Sequence, residues 1–397
     1  MKIILLEDEN DKTEAIKNEI LTVVPRADIK CVGNWLDYSR QVIDTKFDLI
    51  LLDLLVPRSG KSQEIEDHHT QLVETTRDYG SKSFYTPAVV LSRHCDDPGE
   101  FVFDLNKVDL TVISYDDEGL WQDSLRRKVL TAKPPQHFDF LIICALEKEV
   151  AAYEDLVDYI GKTEVISDLV CREISIGTYS GVIVLAYRMG LVATAVTASL
   201  AIERFKPSLV CMSGICGGIP KSAEIYDVLV TDVCHQHDSG KWSDGGFKSE
   251  HYDVQIDPSV RAKLIEVISH DLFVSNILAE VRHNKSEIPD DKELLNCRVR
   301  VESTSSGSAV IAEEGKTELL SVGQRKLAGF EMEIYSLYEA ARHATIRPLF
   351  FAAKTVVDDG GRNKGDKFHR IGCILSAKVI IKIIESDLIH LHFSRSN

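Results

Sequence analysis

Short apolar runs of strand length recur along this chain with helix-length amphipathic stretches between them. That alternation restricts the fold more than any other feature. In the first 130 residues the runs fall at 3–6, 29–32, 49–52, 88–91 and 110–113, with helical patterns near 11–23, 36–45, 62–78 and 119–130. Strand, helix and strand in succession predict a parallel sheet wound with helices on both faces. Two runs end on a carboxylate: Asp53 closes 47–52, and Asp358 closes 349–357. In open α/β folds the C-terminal ends of the strands are where ligands bind, so these two acids mark the candidate sites.

Residues 131–137, Thr-Ala-Lys-Pro-Pro-Gln-His, break both periodicities. Adjacent prolines favour extended backbone, which predicts a short, stiff linker. Beyond it strand patterns resume at 138–143, 182–187, 209–212, 228–230, 299–301 and 349–357, with helices expected near 147–158, 191–204, 258–282, 332–343 and 372–386. The expectation is therefore two α/β domains, 1–130 and 138–397, joined by 131–137. A chain of 397 residues is long enough to give each its own core.

Composition narrows the function classes. The 44% hydrophobic and 27% charged fractions are those of an ordinary globular protein. No apolar run reaches the roughly 18 residues that span a bilayer, and the strand-like start meets Glu7-Asp8, unlike a signal peptide. The expectation is a cytoplasmic protein without a membrane partner. A net charge of −16 argues against a nucleic-acid partner, which needs a basic face to displace counterions. Nine cysteines lie scattered without a CxxC pair and read as reduced thiols rather than disulfides or zinc ligands.

In the N-terminal part Glu7-Asp8 follows the first strand and Asp53 the third. Those strands lie side by side in a doubly wound sheet, so the three carboxylates converge. Clustered carboxylates repel unless a hard cation sits among them, and Mg²⁺ suits such an oxygen-rich site. An aspartate beside Mg²⁺ can accept a phosphoryl group. Pro57 and Gly60 shape the following loop, and Ser92 ends the fourth strand, where its hydroxyl is placed to meet a phosphoryl oxygen. The acidic pair, Asp53-x-x-x-Pro57-x-x-Gly60 and the run 87–92 resemble the receiver domains of two-component response regulators, a flavodoxin-like fold. The resemblance implies phosphorylation at Asp53, a Mg²⁺ ion held by Glu7, Asp8 and Asp53, and a histidine kinase or phosphotransfer protein as partner. Ser114 stands where that family carries a lysine, and Thr111 where an aromatic residue is common. The other reading is a degenerate receiver that serves for docking or dimerisation.

Three features of the C-terminal part converge on one chemistry. Glu149 lies in the first turn of a helix after the opening strand. The run Met212-Ser213-Gly214-Ile215-Cys216-Gly217-Gly218-Ile219 allows close backbone approach to a ligand. Glu331-Met332-Glu333 and Lys354-Thr355-Val356-Val357-Asp358 supply acids and an apolar side chain. Cleaving a purine from ribose builds an oxocarbenium-like sugar and charge on the base, so an acid for the leaving ring, a carboxylate on the ribose hydroxyls and one orienting water are all useful.

Together these motifs resemble the purine nucleoside phosphorylase and nucleosidase superfamily over 138–397. The resemblance implies Asp358 as general acid at the purine N7, Glu333 on the ribose hydroxyls and Met332 against the sugar. Val310 and Ile311, within Gly307-Ser308-Ala309-Val310-Ile311, would bracket the base. Gly214 and Gly217 would let the backbone approach the ligand. Glu149 matches the water-binding glutamate of the hydrolytic branch, similar to methylthioadenosine/S-adenosylhomocysteine and AMP nucleosidases. No cofactor is expected for base cleavage. Candidates for substrate phosphates are Arg188, Lys354, Arg362, Lys364 and Lys367.

A receiver joined to a nucleosidase resembles antiphage effectors of the Detocs type, which split ATP to adenine and ribose triphosphate. That resemblance implies an adenosine-nucleotide substrate, and the phosphorylase fold implies a homo-oligomer. The alternatives are a regulated purine nucleoside phosphorylase or salvage nucleosidase, and a nucleotide-sensing response regulator without catalysis.

Overall fold

Side chains alternate strictly along the first strands, and the two faces they make are both covered. β1 (Lys2–Leu6), β2 (Asp28–Val32) and β3 (Leu49–Leu52) are joined by α1 (Asn10–Val23) and α2 (Trp35–Asp44). A hairpin of β4 (Leu55–Pro57) and β5 (Ile65–Asp67) leads into α3 (His69–Thr76), followed by β6 (Ala88–Ser92), β7 (Leu110–Ser114) and α4 (Leu120–Ala132). Ile3, Leu5, Leu49, Leu51, Val89 and Leu91 pack with Ile16 and Ile20 of α1 and Trp121, Leu125 and Val129 of α4. Their neighbours Ile4, Leu6, Ile50, Leu52, Ala88 and Val90 pack with Tyr38 and Val42 of α2. The five long strands are all parallel, in the order β2-β1-β3-β6-β7. That is one of the common doubly wound orders, with β1 and β3 adjacent at the switch point.

The computed structural model describes residues 1–25, 27–61, 65–67, 69–93, 105, 109–116, 119–134, 137–244, 246–250, 252–311, 317, 320, 324–361 and 365–393. The chain divides into two compact units, Met1–Pro135 and Gln136–Asn397. α4 continues through Ala132, so the first two residues of the expected linker are helical. The helix expected over 62–78 is shorter, because β5 occupies 65–67 and only 69–76 is helical.

The second unit carries β8 (Phe140–Cys144), α5 (Glu147–Ala151), β9 (Tyr159–Ile160), β10 (Glu164–Ile166), β11 (Leu169–Ile176), β12 (Tyr179–Leu185), α6 (Leu191–Phe205) and β13 (Leu209–Gly218). Next come β14 (Val228–Gln236), β15 (Gly240–Ser243), β16 (Gly246–Ser249), β17 (Tyr252–Gln255), α7 (Pro258–Ile268) and α8 (Phe273–Leu278). β18 (Val299–Ser306), β19 (Leu327–Glu331), α9 (Ile334–His343), β20 (Leu349–Asp358), α10 (His369–Glu385) and α11 (His390–Phe393) complete it. The sheet is mixed rather than purely parallel: β9 to β12 form an antiparallel arm, of which the sequence pattern marks only the strand at 182–187.

One pairing circuit positions everything that follows. β13 pairs with β20, β20 with β14, β14 with β18, β18 with β19, and β19 returns to β13. Five strands therefore close into a ring. β13 bulges between Cys216 and Gly217, which swings Gly217 and Gly218 onto β19. Bulges of this kind re-aim side chains and are common beside active sites. α6 and α9 pack on each other, while α10 lies along β13 and β20. Among the described residues, no helix is long and apolar enough to cross a membrane.

Candidate active site

At the end of the ring where β13, β19 and β20 finish, the second unit encloses a cavity of about 300 Å³. Its wall includes Glu149, Ile215 and Gly217, then Phe330, Glu331, Met332 and Glu333, and finally Val357 and Asp358. Val310 and Ile311 form part of the same wall; Val310 is exposed, and Ile311 packs towards Ile219, Leu327 and Phe330. Residues separated by more than 200 positions thus meet at one strand-end cleft.

Glu149 is fixed by backbone alone. Its Oε2 accepts hydrogen bonds from the N–H groups of Ala145 (2.7 Å) and Leu146 (3.0 Å), and Oε1 accepts from Ile215 (3.2 Å). A Cβ added at Gly214 would fall 2.2 Å from Oε1, so glycine is what lets β13 close on the carboxylate. At Gly217 a Cβ would run into the Phe330 ring in the same way. Burial pushes the Glu149 carboxyl up to about 7, against the opposing pull of Lys354 and of the Ala145 and Leu146 N–H groups.

Glu331, Glu333 and Lys354 form a buried ion triad. The Lys354 Nζ lies 2.8 Å from Glu331 Oε2 and 2.6 Å from Glu333 Oε2. Burial works against the ammonium, but the carboxylates of Glu331, Glu333 and Glu149 outweigh it and raise its pKa. Glu331 also accepts from the N–H groups of Glu333 (2.8 Å) and Ile334 (3.0 Å), which caps α9, and from the Ser306 hydroxyl. Glu333 Oε1 accepts from the Gly190 N–H at 3.1 Å. Glu331 is thus spent on structure, while Glu333 is held at both oxygens in the cavity wall.

Asp358 ends β20 half-buried, with Oδ1 accepting from the Gly360 N–H at 2.9 Å. This turn anchors the carboxyl at the wall shared with Phe330 and Ile311. Gly360 has φ +75°, a left-handed conformation that favours glycine.

The proposed phosphate contacts separate. Lys354 lies inside the protein on the two glutamates rather than at the rim of the cleft. Arg188 is exposed, stacks on Tyr187 and is not part of the cavity wall, although its neighbour Met189 is. Arg362 and Lys364 lie outside the described residues. Lys367 is near Asp290, at 3.4 Å, and stacks on Phe368. His237 sits outside the wall, its Nδ1 2.9 Å from the Ser305 hydroxyl. His369 does line the cavity, beside Lys148 and Asp366. Those three residues also border a wider groove of about 1290 Å³ whose cations include Arg282, Arg370 and Lys378, and whose acids include Asp155 and Glu280. Met189 and Phe330 sit in no sequence motif, and Lys148, within the run that holds Glu149, carries no sequence signal of its own.

In the first unit Glu7 and Asp53 meet as expected, and a residue that sequence reading passed over stands between them. Lys12 of α1 is buried; its Nζ lies 2.7 Å from Glu7 Oε2 and bonds Asp53 Oδ2. Asp53 Oδ1 accepts from the Leu54 N–H (2.6 Å). Burial drives Glu7 up to about 7 in spite of Lys12. Asp8 is partly exposed. Ser92, at the end of β6, is buried.

A family model described as the phosphorylase superfamily matches residues 139–385. A curated relative, the uncharacterized protein y4jS of Sinorhizobium fredii, is 21% identical over 421 aligned residues, covering 97% of this chain and 99% of its own. Among solved structures, the 5'-methylthioadenosine/S-adenosylhomocysteine nucleosidase of Colwellia psychrerythraea, in complex with adenine, is 17% identical with a TM-score of 0.50, over 63% of this chain and 96% of that one. The Helicobacter pylori 5'-methylthioadenosine/S-adenosylhomocysteine nucleosidase gives 16% and 0.50, over 63% and 98%. At these identities the likeness is one of fold: the second unit has a nucleosidase-like α/β fold.

Proposed function

Because the chain belongs to the phosphorylase superfamily, we propose that its second unit hydrolyses the N-glycosidic bond of purine nucleosides or nucleotides. The observation that carries the reading is the charge of the cavity wall. Among the described residues Glu149, Glu331, Glu333, Asp358 and Asp366 line the cavity with one lysine, Lys148, and one histidine, His369, and Lys354 behind Glu331 and Glu333 offsets one further charge, so acids still outnumber cations. Such a wall stabilises a cationic sugar and disfavours a second, phosphate substrate. Water is the acceptor consistent with it.

On this reading each residue takes one role. Asp358 protonates the departing purine, Glu333 accepts from the ribose hydroxyls while Lys354 and Gly190 hold it, and Met332 packs on the sugar. Glu149 orients the water and draws its proton as the new C–O bond forms. Val310 and Ile311 bracket the base. Because burial raises Glu149 to about 7, base release is expected to climb as pH rises through 7, where the carboxylate ionises. A rate flat between pH 5 and 8 would contradict this role. The same shift costs stability: the unfolded chain ionises this group first, so its contribution falls between the ordinary carboxylate range and about 7 and is level above.

The finer reading is an adenosine nucleotide, ATP above all, split to adenine and ribose 5-triphosphate. What supports it is the groove that shares Lys148, Asp366 and His369 with the cavity, with room for a 5'-substituent and, beside the acids Asp155 and Glu280, the cations Arg282 and Lys378, while Arg370 is paired with Glu287. Cleavage of ATP is lethal if unchecked, which gives the attached first unit a regulatory purpose, as in a receiver-controlled antiphage effector acting in the cytoplasm as a homo-oligomer. The signal would come through docking or assembly of the first unit, with a histidine kinase or phosphotransfer protein as the candidate docking partner. Base release from ATP, AMP, adenosine and methylthioadenosine, measured side by side, tests the substrate reading. Preference for ATP supports it, and preference for a free nucleoside makes this a salvage enzyme.

A further inference from the structure

The acidic cluster of the first unit already contains a cation. α1 buries one stripe of side chains, Lys12, Ile16 and Ile20, so Lys12 occupies a core position one turn before two isoleucines. It is 1% exposed. Its ammonium lies 2.7 Å from Glu7 Oε2, bonds Asp53 Oδ2 and sits 5.3 Å from the centre of the Tyr115 ring, with Arg93 also 5.3 Å from that ring.

The remaining carboxylate oxygens are occupied too. Glu7 Oε1 accepts from the Glu9 N–H at 3.0 Å, and Asp53 Oδ1 from Leu54 at 2.6 Å and Leu55 at 3.4 Å. Three of the four oxygens of the two buried acids therefore accept a hydrogen bond from this chain, and the fourth, Glu7 Oε2, is held by ion contact with the Lys12 ammonium. Mg²⁺ requires near-octahedral oxygens at about 2.0–2.1 Å and gives up its water reluctantly. It would have to evict a buried ammonium from the oxygens it needs, leaving that charge without a partner in the core. The residues present do not fit the ion.

We propose that Lys12 is the resident counter-ion of the Glu7–Asp53 pair, making this a metal-independent ion triad in which Asp53 is a structural partner rather than a phosphoryl acceptor. Ser114, at the end of β7, adds no second positive charge. Control through this unit then runs by docking or assembly, not by Mg²⁺-dependent chemistry at Asp53.

The test uses the full chain, stripped with a chelator, and follows thermal unfolding of the first unit with Mg²⁺ and then with Mg²⁺ plus beryllofluoride. Acetyl phosphate labelling is measured in parallel. The wild type is expected to show no shift with either addition and no label. Lys12→Met removes the ammonium and should unfold several degrees lower without metal, with Mg²⁺ restoring part of the loss. A rise of several degrees in the wild type with Mg²⁺, or acetyl phosphate labelling lost in Asp53→Asn, overturns the proposal. If Lys12→Met does not fold, the wild-type titration still decides. Base release plays no part in the readout, so the outcome is separate from the hydrolase reading.

Discussion

Asp358→Asn is expected to lower base release by about 10²–10⁴-fold, the usual contribution of a positioned general acid. Asparagine has almost the same shape, and its Oδ1 can still accept from the Gly360 N–H, so the turn after β20 stays closed. What is lost is the proton. A purine leaving without protonation carries its charge away unassisted. The measurement is purine release by chromatography, paired with thermal unfolding and equilibrium binding of a substrate analogue. Unchanged unfolding and binding with a collapsed rate is the expected pattern. A rate within a few-fold of wild type would remove Asp358 from the mechanism.

Lys354→Met is expected to be the most damaging single change to stability. The side chain is 1% exposed and is the ammonium to which both Glu331 and Glu333 bond. Its removal leaves two carboxylates in the core with only N–H and hydroxyl donors. Breaking a buried ion pair by deleting one partner costs about 3–5 kcal/mol. Urea unfolding of the full chain reads that loss in the transition of the second unit. Glu331→Gln in the same background removes one stranded charge and should restore part of it. A loss under about 1 kcal/mol, the scale of an exposed pair, would mean that water reaches the triad. Base release should fall as well, because Glu333 loses one of the two contacts that aim it.

The strand pattern of the first unit was legible because its helices cover both faces of a parallel sheet, giving unbroken apolar runs such as Leu49–Leu52. The 55–67 hairpin was not. β4 and β5 are three residues each, too short to set a period, and they sit inside a polar stretch. In the second unit β11 and β12 are antiparallel neighbours with mixed burial, so β11 carried a weaker signal than β13 or β20. The apolar pattern that continues through 258–282 predicts one helix where α7 and α8 are two; the chain breaks at Ser269, whose N–H returns to Ile265 and Val267.

Acids at strand ends were legible for the same geometric reason, and Glu149, Glu333 and Asp358 do reach one cavity wall. Lysines were harder, since a sequence does not say which way a long side chain points. Lys354 reads from sequence as a phosphate contact, yet its place in β20 between Ala353 and Thr355, both fully buried, puts it in the core. Lys12 carries a readable signal, because the 12, 16, 20 spacing places it on the same helix face as two isoleucines. A lysine on an apolar stripe implies a buried acid to meet it.

The most direct test of the account is purine release by the purified full chain in buffer free of inorganic phosphate, then with phosphate added. The account predicts the same rate in both, with the free sugar or sugar phosphate as co-product and no ribose 1-phosphate. Release that appears only when phosphate is supplied, with a 1-phosphorylated sugar, would contradict it and make the enzyme a phosphorylase.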